Sequence, residues 1–316
     1  MTETMTSTTP PATRQASRST YLDVRGLRYH VREWGEPGAP ILFLFHGWMD
    51  VSASFQFLVD ALRERWHIVA PDWRGYGESA RPTDGPGVEC YWFADYLADL
   101  EAIVDHYQPE GQVTLVGHSL GANVVCLYAG IRPERVRRVV DLEGFGMTAS
   151  KASQAPRRYA RWLDELKDKP RLNTYATVED VAARLQKTNP RLPADKAAFL
   201  AQHWSHQGAD GRWEILGDPA HKIINPQLYR LDEVMEVWRR VTAPVLHVEA
   251  VDSPTLKAIA GEMPLPEFKK RFAAFPDFRE VLIADAGHML HGSHAASRSA
   301  GTGGHVDRGV LPARLT

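Results

Sequence analysis

Between Gln112 and Ile131 an apolar strand signal, Gln112-Val113-Thr114-Leu115-Val116, runs straight into a helical one across Gly117-His118-Ser119-Leu120-Gly121. Little else in the chain restricts its fold as much. A strand that becomes a helix within five residues must turn sharply, and the residue at the apex is forced into a strained backbone conformation. Positions two before and two after the apex must then be small, which Gly117 and Gly121 satisfy. A serine held this way projects from the end of a buried strand, making Ser119 the candidate nucleophile.

The same alternation recurs around it. Leu27 to Trp34 reads as an early strand, and Ile41 to Phe45 as a strand buried on both faces. A helix is expected from Ser54 to Arg65, then a strand from His67 to Asp72 that ends in Arg74-Gly75-Tyr76-Gly77. Phe93 to Tyr107 carries apolar residues at helical spacing, and Val136 to Leu142 is a further strand. Strands joined by helices predict an α/β doubly wound, mostly parallel sheet, with chemistry in the loops at the carboxyl ends of the strands.

From 147 to 240 the rhythm stops and the chain becomes helical, polar and tryptophan-bearing (Trp162, Trp204, Trp213, Trp238), as an inserted cap would. It resumes at Ala243 to Val248 and at Glu280 to Ala284. The expected organisation is therefore a leader over 1–20, a core over 21–146 and 241–291, a helical cap over 147–240, and an irregular tail over 292–316. The leader follows from a Thr- and Ser-rich composition with a Pro pair and no signal-peptide core. The tail has Ser, Gly, Ala, Arg and His in no period, and the abrupt change after His291 reads as a shifted frame.

Composition excludes several roles. With 37 basic against 39 acidic residues the net charge of −2 offers no footprint for nucleic acid or an anionic membrane. No apolar run approaches the roughly 18 residues of a membrane span. Two cysteines, Cys90 and Cys126, without a C-x-x-C pair argue against a disulfide framework or zinc site and suit the cytoplasm. His203, His206, His221, His247 and His294 are scattered without ligand spacing, so no metal is expected; no cofactor is expected either, because a serine nucleophile, its base and its oxyanion donors would all come from the chain.

A serine hydroxyl needs a base, and His288 in Asp285-Ala286-Gly287-His288, after the last strand, is the candidate; His291 is a neighbour or a bystander. Acyl transfer also needs donors for an oxyanion. The main-chain amides of Trp48, in the Phe45-His46-Gly47-Trp48 loop, and of Leu120 are the candidates, with Gly47 permitting close approach.

Together the His46-Gly47 loop, the stretch Asp72-Trp73-Arg74-Gly75-Tyr76-Gly77-Glu78-Ser79, the Ser119 turn and Gly287-His288 resemble the α/β-hydrolase superfamily across about 22–291. The pattern is most similar to its serine-hydrolase-like and esterase branches. Ser119 separates it from haloalkane dehalogenases and epoxide hydrolases, whose nucleophile is an aspartate. The resemblance implies a triad acid at one of two places. Asp252 stands in the loop after Val245 to Val248, where most of the superfamily keeps it, but lacks the usual preceding glycine. Glu143, beside Gly144, stands where other branches take it. Asp72 and Arg74 are implied to shape their loop. In the cap, Gly217 to Lys222 and Asn225 to Arg230 also resemble serine-hydrolase-like proteins. The superfamily's final amphipathic helix is missing from the tail.

The expectation is a hydrolase of a small carboxylic ester working through an acyl-enzyme on Ser119. Lactone, thioester, amide and carbon–carbon cleavage, and a binding protein without turnover, remain alternatives. The expected partner is a small acyl substrate; oligomeric state is not legible.

Overall fold

The computed structural model describes residues 14–62 and 65–293. Its elements in chain order are β1 (Ser17–Val24), β2 (Leu27–Trp34), β3 (Ile41–Phe45), α1 (Gln56–Ala61), β4 (His67–Pro71), α2 (Phe93–Tyr107), β5 (Val113–His118), α3 (Leu120–Ile131) and β6 (Val136–Leu142). Next come α4 (Ala155–Lys167), β7 (Thr174–Tyr175), α5 (Val178–Thr188), α6 (Ala194–Trp204), β8 (Ser205–Gln207), β9 (Trp213–Ile215) and α7 (Leu231–Trp238). The chain then returns through β10 (Val245–Ala250), α8 (Pro254–Glu262), α9 (Leu265–Lys269), β11 (Phe278–Ile283) and α10 (Leu290–Ser293).

Eight strands form one sheet in the order β1-β2-β4-β3-β5-β6-β10-β11. From β4 to β11 neighbouring strands run parallel, whereas β1 and β2 form an antiparallel edge. This is the expected doubly wound, mostly parallel sheet. Its two faces are separate apolar layers, because successive side chains of a strand point to opposite sides. Phe43 and Phe45 of β3 join one layer with Leu115 and Trp73, while Leu42 and Leu44 join the other with Val116 and Val140.

The strand order places the site. The chain passes from β3 to β4 on one side and reaches β5 on the other, so the loops leaving β3 and β5 diverge at their carboxyl ends. Such a switch point opens a crevice, and His46 to Asp50 and Ser119 stand at its two lips.

Three boundaries depart from the sequence reading. β1 begins at Ser17, inside the expected leader, and pairs along its whole length with β2; residues 1–13 lie outside the description. The helix expected from Ser54 to Arg65 is a short turn, Ser52–Phe55, followed by α1, which ends at Ala61. In the span expected for a helical cap, α5 and α6 are joined by a three-stranded sheet, β7-β9-β8. The last helix of that span, α7, packs on the core. A Cβ on Gly130 of α3 would lie 2.0 Å from the Val237 carbonyl oxygen, so the glycine is what lets the two helices touch, and Trp238 stacks on Phe275 with centroids 4.7 Å apart. The tail expectation falls on residues 294–316, outside the description, apart from the single turn of α10. Among the described residues no helix is long and apolar enough to cross a membrane.

Candidate active site

Ser119 stands between β5 and α3 at φ 51°, ψ −110°, a conformation that costs a non-glycine residue of order 1–3 kcal/mol. The surroundings hold it there. Its amide donates to the Leu142 carbonyl at 2.8 Å. A Cβ on Gly117 would lie 2.4 Å from the Ala122 nitrogen, and one on Gly121 2.2 Å from the Phe45 carbonyl oxygen. Both glycines are therefore needed for the turn to close against α3 and β3.

His288 follows β11 and reaches Ser119, with its Nε2 3.0 Å from the Ser119 Oγ. Its Nδ1 lies 3.0 Å from Glu143 Oε2. A carboxylate can only accept, so Nδ1 carries the ring proton and donates to Glu143, which leaves the Nε2 lone pair for the serine hydroxyl. The imidazole is thus set in the tautomer that can take a proton from Ser119. The ring remains partly exposed, at 24%, whereas the Glu143 side chain is fully buried.

Burying a carboxylate is tolerated only when its lone pairs are filled. Glu143 meets this with three donors: the Ala250 amide at 2.6 Å on Oε1, and on Oε2 the Ser253 hydroxyl at 2.5 Å besides His288. Ser253 in turn accepts from the Leu256 amide at 3.4 Å, capping α8. Glu143 itself is at φ 60°, and the turn is held by the Gly144 amide donating to Asp141 Oδ1 at 2.7 Å. Asp141 Oδ2 accepts from His247 Nδ1 at 2.8 Å. Burial opposes charge on His247, but the adjacent Asp141 carboxylate outweighs it and raises the ring to about 9.

Asp252, the other candidate acid, is not brought to His288. Its amide donates to the Ala286 carbonyl at 3.0 Å, while its carboxylate turns outward to Arg191 of the cap and Lys257 of α8. The side chain is 38% exposed. Asp252 is adjacent to Ser253, whose hydroxyl turns inward to Glu143 while the Asp252 carboxylate turns outward to Arg191.

The lip after β3 is built to lie against the serine. A Cβ on Gly47 would come within 3.2 Å of Ser119 Cβ and 2.8 Å of His118 Nδ1. The Trp73 amide donates to His46 Nε2 at 2.9 Å, so Nδ1 carries the proton and donates to the Gly47 carbonyl at 2.8 Å. In a trans peptide the N–H points opposite to the C=O; with the Gly47 carbonyl turned inward, the Trp48 N–H faces away from His46. Neither the Trp48 nor the Leu120 amide donates to another protein group among the described residues. The Trp48 side chain is 52% exposed, with its indole N–H 3.3 Å from the His221 carbonyl.

The Asp72 to Ser79 stretch braces this lip. Asp72 accepts from the Ser52 amide at 2.6 Å and the Glu78 amide at 3.0 Å, and Arg74 binds Asp99 through two nitrogens at 2.5 and 2.6 Å. From the cap, His221 is sandwiched between Tyr76 and Tyr91 at centroid distances of 3.8 and 3.5 Å. Burial holds its ring down at about 3. The Asp218 amide donates to the Gly75 carbonyl at 2.8 Å and the Tyr91 hydroxyl donates to Asp218 Oδ2 at 2.8 Å, so the Gly217 to Lys222 stretch pins the cap to the Asp72 to Ser79 stretch.

Sequence reasoning missed Ser253 and the Ala250 amide, whose role depends on the spatial meeting of β6 and β10 loops. Also missed was a buried group behind the serine. His118 Nε2–H donates to the His288 carbonyl at 2.8 Å; burial, with repulsion from His291 and His288, holds the His118 ring well below the usual imidazole range.

Comparison with known proteins agrees with this architecture. Residues 40–295 match the family model described as alpha/beta hydrolase fold. The chain is 29% identical over 227 residues to a serine hydrolase-like protein of Danio rerio, covering 69% of this chain and 67% of that one. It is 35% identical over 233 residues to a bifunctional esterase/perhydrolase of Acinetobacter calcoaceticus, covering 72% and 79%. A hypothetical protein from Pseudomonas aeruginosa PAO1 superposes with a TM-score of 0.75 at 24% identity, over 87% of this chain and 93% of that one, a likeness of fold. The chain belongs to the α/β-hydrolase family.

Proposed function

We propose that the protein is a serine hydrolase of small carboxylic esters. Ser119 Oγ attacks the ester carbonyl carbon as its proton passes to His288 Nε2, and Glu143 stabilises the imidazolium. The Trp48 and Leu120 amides hold the oxyanion, one from each lip of the crevice. The leaving alkoxide takes the proton from His288 and departs as an alcohol. Water, deprotonated by the same ring, then attacks the acyl carbon, releases the carboxylic acid and restores Ser119. Nucleophile, base and oxyanion donors all come from the chain.

The observation that carries this reading is the hydrogen-bonded line from Ser119 through His288 to a buried, fully satisfied Glu143. It fixes the productive tautomer without help from substrate. The choice of esters rests on the similarity to an esterase/perhydrolase and on the half-buried, approachable Ser119.

Hydrolysis of p-nitrophenyl acetate and butyrate by the wild type and by Ser119→Ala tests the reading. Activity should fall by about 10⁴-fold or more in the variant. Equal activity in both would remove Ser119 from the chemistry, and no wild-type turnover on any ester would redirect the reading to another acyl bond or to binding alone.

A further inference from the structure

Behind the candidate active site lies a second cluster that the proposed chemistry does not use. Asp50, His118 and His291 converge in the interior, at 1%, 1% and 0% exposure. Asp50 Oδ2 is 3.5 Å from His291 Nε2 and 3.9 Å from His118 Nδ1, and one ligand atom from each residue lies within 4.8 Å of the others. Asp50 Oδ2, His118 Nδ1 and both His291 ring nitrogens lack a hydrogen-bond partner among the described residues.

The hydrogen bonds around the cluster decide what it can accept. Asp50 Oδ1 takes the Val51 amide at 2.9 Å and the Ser54 hydroxyl, leaving Oδ2 aimed into the cluster. His118 spends its ring proton on the His288 carbonyl, so its Nδ1 presents a bare lone pair to that carboxylate. Two acceptors face each other 3.9 Å apart with no proton to share between them, in a buried place. A protonated His291 could answer only Asp50 and would leave the His118 lone pair unmet.

We propose that Asp50, His118 and His291 form a binding site for a divalent transition-metal ion of the zinc class. Tetrahedral zinc bonds of about 2.0–2.1 Å set neighbouring ligand atoms roughly 3.3 Å apart; Asp50 Oδ2 already stands 3.5 Å from His291 Nε2 and 3.9 Å from His118 Nδ1, so small side-chain shifts would close the three ligands on one ion. Two neutral imidazoles with one carboxylate suit zinc, cobalt or nickel over the oxygen-seeking magnesium and calcium. A second cluster, His247, Glu249 and Glu280, has comparable spacing but already contains a cation, the Lys269 ammonium at 2.6 and 2.8 Å from its two carboxylates.

The ion is a clamp and not a reactant, since its ligands are sealed from the crevice. His291 belongs to α10, three residues past His288; Asp50 ends the lip that carries Trp48; His118 precedes Ser119. A single ion would therefore tie together the three segments that carry the base, an oxyanion donor and the nucleophile.

Full-length protein stripped with a chelator and dialysed against Zn²⁺ or Co²⁺ provides the test. The wild type should retain one equivalent, gain thermal stability, and with Co²⁺ show the visible absorption of a low-coordinate site. Asp50→Asn and His291→Gln should each weaken retention by about tenfold or more, whereas His288→Ala and Glu280→Gln should keep it. No retained equivalent in the wild type overturns the proposal and leaves a water or an Asp50–His291 ion pair in the cluster. Loss of the ion in His288→Ala overturns it too, by placing the metal at the Ser119–His288 pair. Should the ligand variants not fold, the Co²⁺ spectrum of wild type against His288→Ala still decides. None of these outcomes bears on ester hydrolysis, which Ser119→Ala tests separately.

Discussion

Two acidic loops leave neighbouring parallel strands and end close to His288, yet they are built in opposite ways. After β6, Glu143 points inward, fully buried, with three hydrogen-bond donors on its carboxylate. After β10, Asp252 points outward, partly exposed, between Arg191 and Lys257. The β10 loop contributes Ser253 and the Ala250 amide to the Glu143 carboxylate instead of supplying an acid of its own. A carboxylate becomes able to orient a histidine through burial and satisfied hydrogen bonds, and position in the chain alone does not confer this.

That contrast can be broken by mutation. Glu143→Gln should lower kcat/KM for an ester by about 10³–10⁴-fold, since the amide no longer stabilises the imidazolium or enforces the tautomer. Ser253→Ala removes one hydrogen bond to the buried carboxylate, a contact worth about 1.5–3 kcal/mol; kcat should fall roughly tenfold or more, with KM little changed. Asp252→Asn and Arg191→Ala should stay within about twofold of wild type, because an exposed ion pair contributes about 0–1 kcal/mol. Steady-state kinetics on one ester at one pH would check all three.

The Glu143 loop also rests on the Asp141–His247 pair, which gives a pH signature. Folded His247 holds its proton up to about 9, against an ordinary value of 6.5. A group raised in the folded state stabilises fully below its unfolded value and loses that contribution as pH rises through the folded one. Unfolding free energy should therefore decline as pH rises between about 6.5 and 9. Urea denaturation across that range should show the slope in wild type and not in His247→Gln.

Much of this was legible in the sequence because local chemistry demanded it. The strained turn at Ser119 needs Gly117 and Gly121 beside a strand and a helix, and the same residues that reveal it build it. The strand runs of the sheet interior are apolar because both their faces are covered. What escaped lies where three-dimensional partners decide. The first half of β1, Ser17 to Thr20, reads as leader because its exposed edge position asks for few apolar residues, and only full-length pairing with β2 makes it a strand. The three cap strands are two or three residues long, too short for any period. The cap's last helix turns to the core because Gly130 admits it. Glu143 and Asp252 both end strands in the sequence, and only the meeting of the β6 and β10 loops separates them.

The most direct test of the central claim does not require the natural substrate. A fluorophosphonate that labels activated serines would be reacted with wild type, Glu143→Gln and Asp252→Asn, and the rate and position of modification followed by mass spectrometry. Modification is expected at Ser119, at the wild-type rate in Asp252→Asn and far slower in Glu143→Gln. Labelling at the wild-type rate in Glu143→Gln together with loss in Asp252→Asn would contradict it.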